Sequence, residues 1–270
     1  MRSRPRSRGM SEPEHRVPAF RTPWRLIWRV PLFILHIFIG LPLTLLCFLP
    51  GIKRIPVFGI PLRERAHRTW QRITLRLFGV RMDISGQLPD GPALIVANHI
   101  SWLDIVLLQA LWPMWLVAKA EIRAWPLIGW LAEVGGTLFI VRGRLESRQK
   151  ISRRMAALMR RGDRVGIFPE GGIRPDRGVN RFHAPLFAAA IRTRMPVVPV
   201  AIRYERGDDL HEEFVFGPGE SFLRNFFRLM AEPPLTGRIM IGEPILDYDN
   251  GRRRLAEKAG AVVKDFYDNA

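Results

Sequence analysis

Short apolar runs and longer stretches with apolar residues three and four apart take turns along most of this chain. The runs are VRMDI (80–84), ALIVA (93–97), WLVAK (115–119), TLFIV (137–141), RVGIF (164–168) and VVPVAI (197–202). Helical spacing marks 63–78, 104–112, 128–133, 145–161 and 184–194, and RRRLAEKAGAVVKDFYDN reads as a closing helix. Strands that alternate with helices predict an α/β fold with a mostly parallel sheet flanked by helices. RIMIG (238–242) reads as an added edge strand.

Ahead of this pattern the chain changes character twice. Residues 1–29 carry arginine at positions 2, 4, 6, 8, 16, 21, 25 and 29, with prolines among them, and residues 1–23 read as a disordered basic arm leading into a helix. From Val30 to Pro50 the only titratable side chains are those of His36 and Cys47, and about 20 apolar residues is the length of a helix that spans a bilayer. Gly40 and Pro42 interrupt that run, and Lys53, Arg54, Arg63, Arg65, Arg68, Arg72 and Arg76 follow it, so both flanks are basic. The positive-inside bias places both ends on the cytoplasmic side and favours a kinked or hairpin segment dipping into one leaflet over a single span. A cleaved signal peptide fits less well, because the apolar run is long, lacks an A-x-A-like site and is followed by more arginines. The chain thus divides into the arm (1–23), a membrane-associating helical segment (24–78) and the α/β domain (79–270).

Composition sharpens the partner. With 47% hydrophobic residues in 270, a sizeable core can form. Lys plus Arg total 42 against 25 Asp plus Glu, a net charge of +17 that attracts an anionic partner: nucleic acid, a phospholipid surface or a phosphorylated substrate. No nucleic-acid recognition motif is present, and an apolar N-terminal run does nothing for binding nucleic acid. The single cysteine, Cys47, cannot form an intrachain disulfide. No Cys/His pair has zinc spacing, so no metal is expected.

Candidate chemistry collects just past the carboxyl ends of the strands, where open α/β sheets place their ligands. ALIVA exits into Asn98, His99 and Ser101, and Asp104 opens the next helix. Asp104 taken alone is an ordinary helix cap, and His99 alone an ordinary loop residue. Together they suit a general base with an orienting carboxylate, provided the chain turns back between them. Ser101 is a weaker candidate, as the nucleophile of a lipid-active serine hydrolase; G-x-S-x-G is absent. RVGIF exits into Pro169, Glu170, Gly171 and Gly172, then Arg174, and paired glycines let a backbone approach an anion closely. Arg142 ends GTLFIVR at another strand exit, where a forked donor suits a phosphate.

These stretches resemble the glycerolipid acyltransferases. NHISWLD looks like their N-H-x4-D block, GTLFIVR their G-x-x-F-I-x-R block, FPEGG the F-P-E-G start of a third, and VVPVAI a fourth, over roughly residues 80–205 and in the family's order. The likeness is greatest to bacterial 1-acyl-glycerol-3-phosphate acyltransferases. The resemblance implies transfer of a fatty acyl group from acyl carrier protein or coenzyme A to the free hydroxyl of a lysolipid, lysophosphatidic acid first among acceptors, at the cytoplasmic face of the bacterial inner membrane. It implies His99 as general base and Asp104 as its orienting partner. Asn98, Arg142, Glu170, Gly171, Gly172 and Arg174 are implied around the acceptor. The resemblance also implies direct attack by the lipid hydroxyl, with no acyl-enzyme, metal or cofactor beyond the thioester co-substrate. Where the family commonly continues F-P-E-G-T-R, this chain has Gly172 and Ile173 with Arg174 one position late; that leaves the acceptor open, with lyso-ornithine lipid as the alternative.

Overall fold

The computed structural model describes residues 19–126, 128–173, 178–207, 209–210, 214–217 and 219–269. Most of the basic arm, and Arg174, lie outside them. The first element is a helix, α1 (Pro23–Leu46), long and apolar enough to cross a membrane by length and composition, and mostly unburied along its apolar window. It is not a hairpin. Gly40 and Pro42 are absorbed by a π-helical turn at His36–Gly40 inside a continuous helix. Such a turn rearranges the hydrogen-bond ladder next to a proline, which has no N–H to contribute.

After a short hairpin, β1 (Pro56–Val57) and β2 (Ile60–Pro61), the chain returns along α1 as α2 (Leu62–Leu77). His36 stacks on Trp70 with ring centroids 3.7 Å apart and lies 3.1 Å from the Thr74 hydroxyl. α2 buries Leu75 in the core of the α/β half, so α2 joins the two parts of the chain. Arg29, only 1% exposed, fastens α1 from the other side. Its Nη1 donates to the carbonyls of Met230 (2.7 Å) and Glu232 (2.8 Å). Gly79 (φ +74°) is required here, because a β-carbon would run into the Arg29 guanidinium.

The α/β half follows: β3 (Val80–Ser85), β4 (Leu94–Ala97), α3 (Leu103–Leu111), β5 (Trp115–Lys119), α4 (Ile128–Val134), β6 (Thr137–Ile140), α5 (Leu145–Arg160), β7 (Val165–Ile167), α6 (Ala188–Thr193), β8 (Val197–Arg206), β9 (Asp209–Leu210), α7 (Phe222–Met230), β10 (Leu235–Ile241) and α8 (Gly251–Asn269). The sheet order is β3-β10-β8-β4-β7-β5-β6, with β9 beside β8. Strands β8, β4, β7, β5 and β6 are mutually parallel. β10 pairs antiparallel to β8 and parallel to β3. The sheet is therefore mostly parallel, and the 238–242 segment forms an interior strand rather than the expected edge. Its buried Gly237, Ile239 and Ile241 fit that place, with neighbours on both sides.

Alternation along β4 sorts the two cores. Ile95 and Ala97 join Leu107, Leu108 and Phe78 on one face of the sheet, and Leu94 and Val96 join Met155, Met159 and Val263 on the other. A strand buried on both faces by helices reads as a continuous apolar run, as ALIVA does. The polar residues at its exit stand out against that run.

Candidate active site

The exit of β4 turns back on itself, as a His–Asp pair five residues apart requires. His99 Nδ1 lies 2.9 Å from Asp104 Oδ2, and the same oxygen accepts the backbone N–H groups of Ile100 (2.7 Å) and Ser101 (2.9 Å). Asp104 thus closes its own loop as well as holding the histidine, and it is fully buried at the start of α3. Its other oxygen, Oδ1, accepts the Tyr204 hydroxyl at 2.7 Å. A carboxyl that accepts from two amides, a phenol and a ring nitrogen is the ionised form, so Nδ1 of His99 carries the proton and Nε2 the free lone pair. The imidazole is stacked on Phe168 at 4.0 Å and is 14% exposed, which leaves it reachable from solvent.

Two of the residues expected around the acceptor bind the protein's own backbone. Asn98, 1% exposed, donates Nδ2 to the carbonyl of Ile202 (2.9 Å) and accepts the Ile202 N–H on Oδ1 (2.7 Å). It stitches the end of β4 to β8, with both ends of its amide occupied. Glu170 accepts the His99 N–H on Oε1 (2.9 Å) and the Asn180 N–H on Oε2 (3.1 Å), clamping the exits of β4 and β7. Burial pushes the Glu170 carboxyl above its ordinary value, and the two amides partly offset this. Both lie beside His99, where acceptor contact was expected of them, and their described hydrogen bonds run to the backbone. Ser101 is likewise corrected: its side chain is fully buried and, among the described residues, its hydroxyl meets the Leu103 N–H at 3.4 Å, so it is not placed to attack a lipid.

Arg142 meets Gly172. A β-carbon on Gly172 (φ +151°) would lie 3.4 Å from Arg142 Nη2 and 3.9 Å from Lys119 Nζ. The exits of β5, β6 and β7 therefore bring two cations over a bare stretch of backbone. Burial, then the neighbouring Arg142 charge, pushes the Lys119 ammonium down, and burial does the same to Arg142. Glu121 offsets part of the effect on both, and two cations over open backbone have the charge to attract an anion. Gly171 (φ +85°) supplies the turn that only glycine takes readily.

Lys119, Phe168 and Tyr204 escaped the sequence reading. Lys119 ends a predicted strand, and its position at a strand exit was the one available signal. Tyr204 had none, because it reaches Asp104 only across the sheet.

Comparison with known proteins agrees with the geometry. The family model for acyltransferases matches residues 79–203. A lyso-ornithine lipid O-acyltransferase of Pseudomonas aeruginosa is 38% identical over 227 residues, covering 84% of this chain and 88% of that protein. The chain belongs to the acyltransferase family. A second lyso-ornithine lipid O-acyltransferase, from Brucella abortus, is 32% identical and covers 77% of this chain and 84% of its own length. A 1-acyl-sn-glycerol-3-phosphate acyltransferase of Neisseria meningitidis is 35% identical over 53% of this chain and 56% of its own. In fold, this acyltransferase is similar to the crystal structure of PlsC, the 1-acyl-sn-glycerophosphate acyltransferase of Thermotoga maritima. The TM-score is 0.68 at 19% identity, over 91% of this chain and 94% of that one. The acyltransferase acts on substrates of the lysophospholipid type, and its relatives belong to lipid biosynthesis.

Proposed function

We propose that this acyltransferase moves a fatty acyl group from a thioester, carried on acyl carrier protein or coenzyme A, to the free hydroxyl of a lysolipid. The His99–Asp104 pair carries the reading. His99 Nε2 takes the acceptor hydroxyl proton as the oxygen attacks the thioester carbonyl, and the tetrahedral adduct collapses to an ester and a thiolate. The thiolate recovers the proton from His99, so the products are ester and thiol. Asp104 holds the ring in the required tautomer and stabilises the imidazolium formed in between. Glu170 and Asn98 act by positioning the loop.

The acceptor favoured here is lyso-ornithine lipid. Its support is that two relatives of that name align over most of this chain and of themselves, whereas the phosphatidic-acid-forming relative aligns over about half. The Gly172-Ile173 departure from F-P-E-G-T-R points the same way. The second reading is lysophosphatidic acid, with which the Lys119–Arg142 pair is also compatible, since two cations suit a phosphate as well as a carboxylate. Arg174 would add to either. In both readings α1 and the basic face of α2 hold the enzyme in the bacterial inner membrane with the site on its cytoplasmic face. Basic residues there each gain about 1 kcal/mol from anionic lipid.

The deciding experiment is an assay of the purified protein with an acyl thioester and a panel of lysolipids. Turnover on lyso-ornithine lipid well above that on lysophosphatidic acid supports the first acceptor. The reverse ranking supports the second, and turnover on no lysolipid overturns the class.

A further inference from the structure

We infer that Tyr204 is a positioning residue for catalysis: through its hydrogen bond to Asp104 it sets how tightly the His99–Asp104 pair holds the proton that shuttles between acceptor and leaving thiol. The inference rests on the reading of His99 as the base.

The Asp104 carboxylate is divided between two tasks. Oδ2 faces the loop and takes His99 Nδ1 with the amides of Ile100 and Ser101, while among the described residues Oδ1 takes the Tyr204 hydroxyl, at 2.7 Å. Tyr204 is 1% exposed, and its ring is stacked on Phe214 at 4.4 Å. Two residues earlier on the same strand, Ile202 is bound at both its N–H and its carbonyl to Asn98, beside His99. β8 therefore delivers the phenol to Asp104 at a distance fixed by the neighbouring stitch.

A neutral donor on Oδ1 prevents the carboxylate from rotating away and draws off part of its charge. A general base must give its proton back, so a partner that holds the imidazolium too strongly slows the return to the thiolate. Burial, the Asp104 charge and the hydrogen bond itself hold the Tyr204 phenol well above its ordinary value, so it stays a donor across the working range. The other titratable groups facing the pair are Glu170, on the His99 N–H, and His183, which approaches Gly171; Arg142 and Lys119 stand over Gly172. None of these touches Asp104 Oδ1.

The test uses the full chain in detergent micelles with an acyl thioester and a lysolipid acceptor. Tyr204→Phe keeps the ring and its stacking and removes only the donor. It is expected to lower kcat about tenfold or more, toward the range of a lost acid–base contribution, with the acceptor KM unchanged. The acid limb of the kcat/KM profile is expected to move to higher pH, because the pair now holds its proton more tightly. Only three tyrosines occur in the chain, so uniform 3-fluorotyrosine, a stronger donor of nearly the same shape, is a second arm and should move that limb to lower pH. A purely structural tyrosine would lower the active fraction and leave the limb where it was; that result overturns the inference. NMR titration of His99, assigned by its absence in His99→Ala, reads proton affinity without turnover. If His99→Ala stays active, the base assignment fails. A His99 titration that does not move between wild type and Tyr204→Phe refutes the role of Tyr204, whatever the activity.

Discussion

Trp102 donates its indole N–H to Asn225 Oδ1 at 3.1 Å, tying the turn that carries His99 to helix α7. The link continues inward. Asn225 Nδ2 donates to Glu220 Oε2 (2.9 Å), and Arg228 meets Glu220 through Nε (2.7 Å) and Nη2 (2.8 Å), with both side chains of that ion pair fully buried. Trp102, Phe226 and Phe33 lie along one aromatic path from the active-site turn to α1. The apolar helix α1 and the turn that carries His99 thus lean on the same helix.

Glu220→Gln is expected to destabilise the fold by about 3–5 kcal/mol at neutral pH, since it removes the carboxylate that meets the buried Arg228 guanidinium at two nitrogens. Burial alone would raise the Glu220 carboxyl; Arg228, Asn225 and the Gly217 N–H outweigh it and bring the group down to about 2. A depressed carboxylate stabilises above its ordinary value of 4.5 and loses that contribution as pH falls toward about 2. Denaturant midpoints for wild type and variant should therefore differ widely at pH 7 and converge below pH 4.5. A difference independent of pH would show that the ion pair is not its source.

His99→Ala should abolish acyl transfer, by about 100-fold or more, while the thermal midpoint stays close to wild type, because the ring makes one stacking contact and one side-chain hydrogen bond. Asp104→Asn should also lose most turnover, and in addition lose stability, since the uncharged amide has one acceptor oxygen for the four groups the carboxylate serves. Thermal melts beside single-turnover rates separate the two effects. An unchanged rate in Asp104→Asn would leave Asp104 a helix cap and nothing more.

Lys119→Ala and Arg142→Ala should each raise the acceptor KM with little change in the donor KM, because both cations stand over Gly172 rather than beside His99. Arg142→Lys should recover part of the loss, a point charge replacing a forked donor. Steady-state kinetics with acceptor and donor varied in turn would check this, and an effect confined to the donor would move the pair to the thioester carrier.

Arg29→Met should loosen α1 from the catalytic half, costing about 1–3 kcal/mol for each buried carbonyl left unpaired. Limited proteolysis in detergent should then cut between α1 and α2 faster than in wild type. Gly79→Ala should do the same by displacing the Arg29 guanidinium. Wild-type cleavage rates in both variants would show that the helix is held by its apolar contacts alone.

The sequence by itself determined the alternation of strands and helices, and with it the fold class and the strand exits where polar residues gather. Both follow from local rules: period and apolar content decide an element, and a parallel sheet opens its carboxyl ends. It also determined that a long apolar segment with basic flanks precedes the domain. Tertiary structure decided the rest. The 238–242 segment lies inside the sheet because its partners, β3 and β8, come from distant parts of the chain. Gly40 and Pro42 do not break α1, because a π-helical turn absorbs them while α2 packs alongside. That Asn98 and Glu170 fasten loops was likewise out of reach, since only pairing across the sheet shows which polar groups already have partners. Tyr204 and Lys119 became visible for the same reason: a hydrogen bond across a hundred residues, or two cations meeting over a glycine, leaves no trace in local spacing.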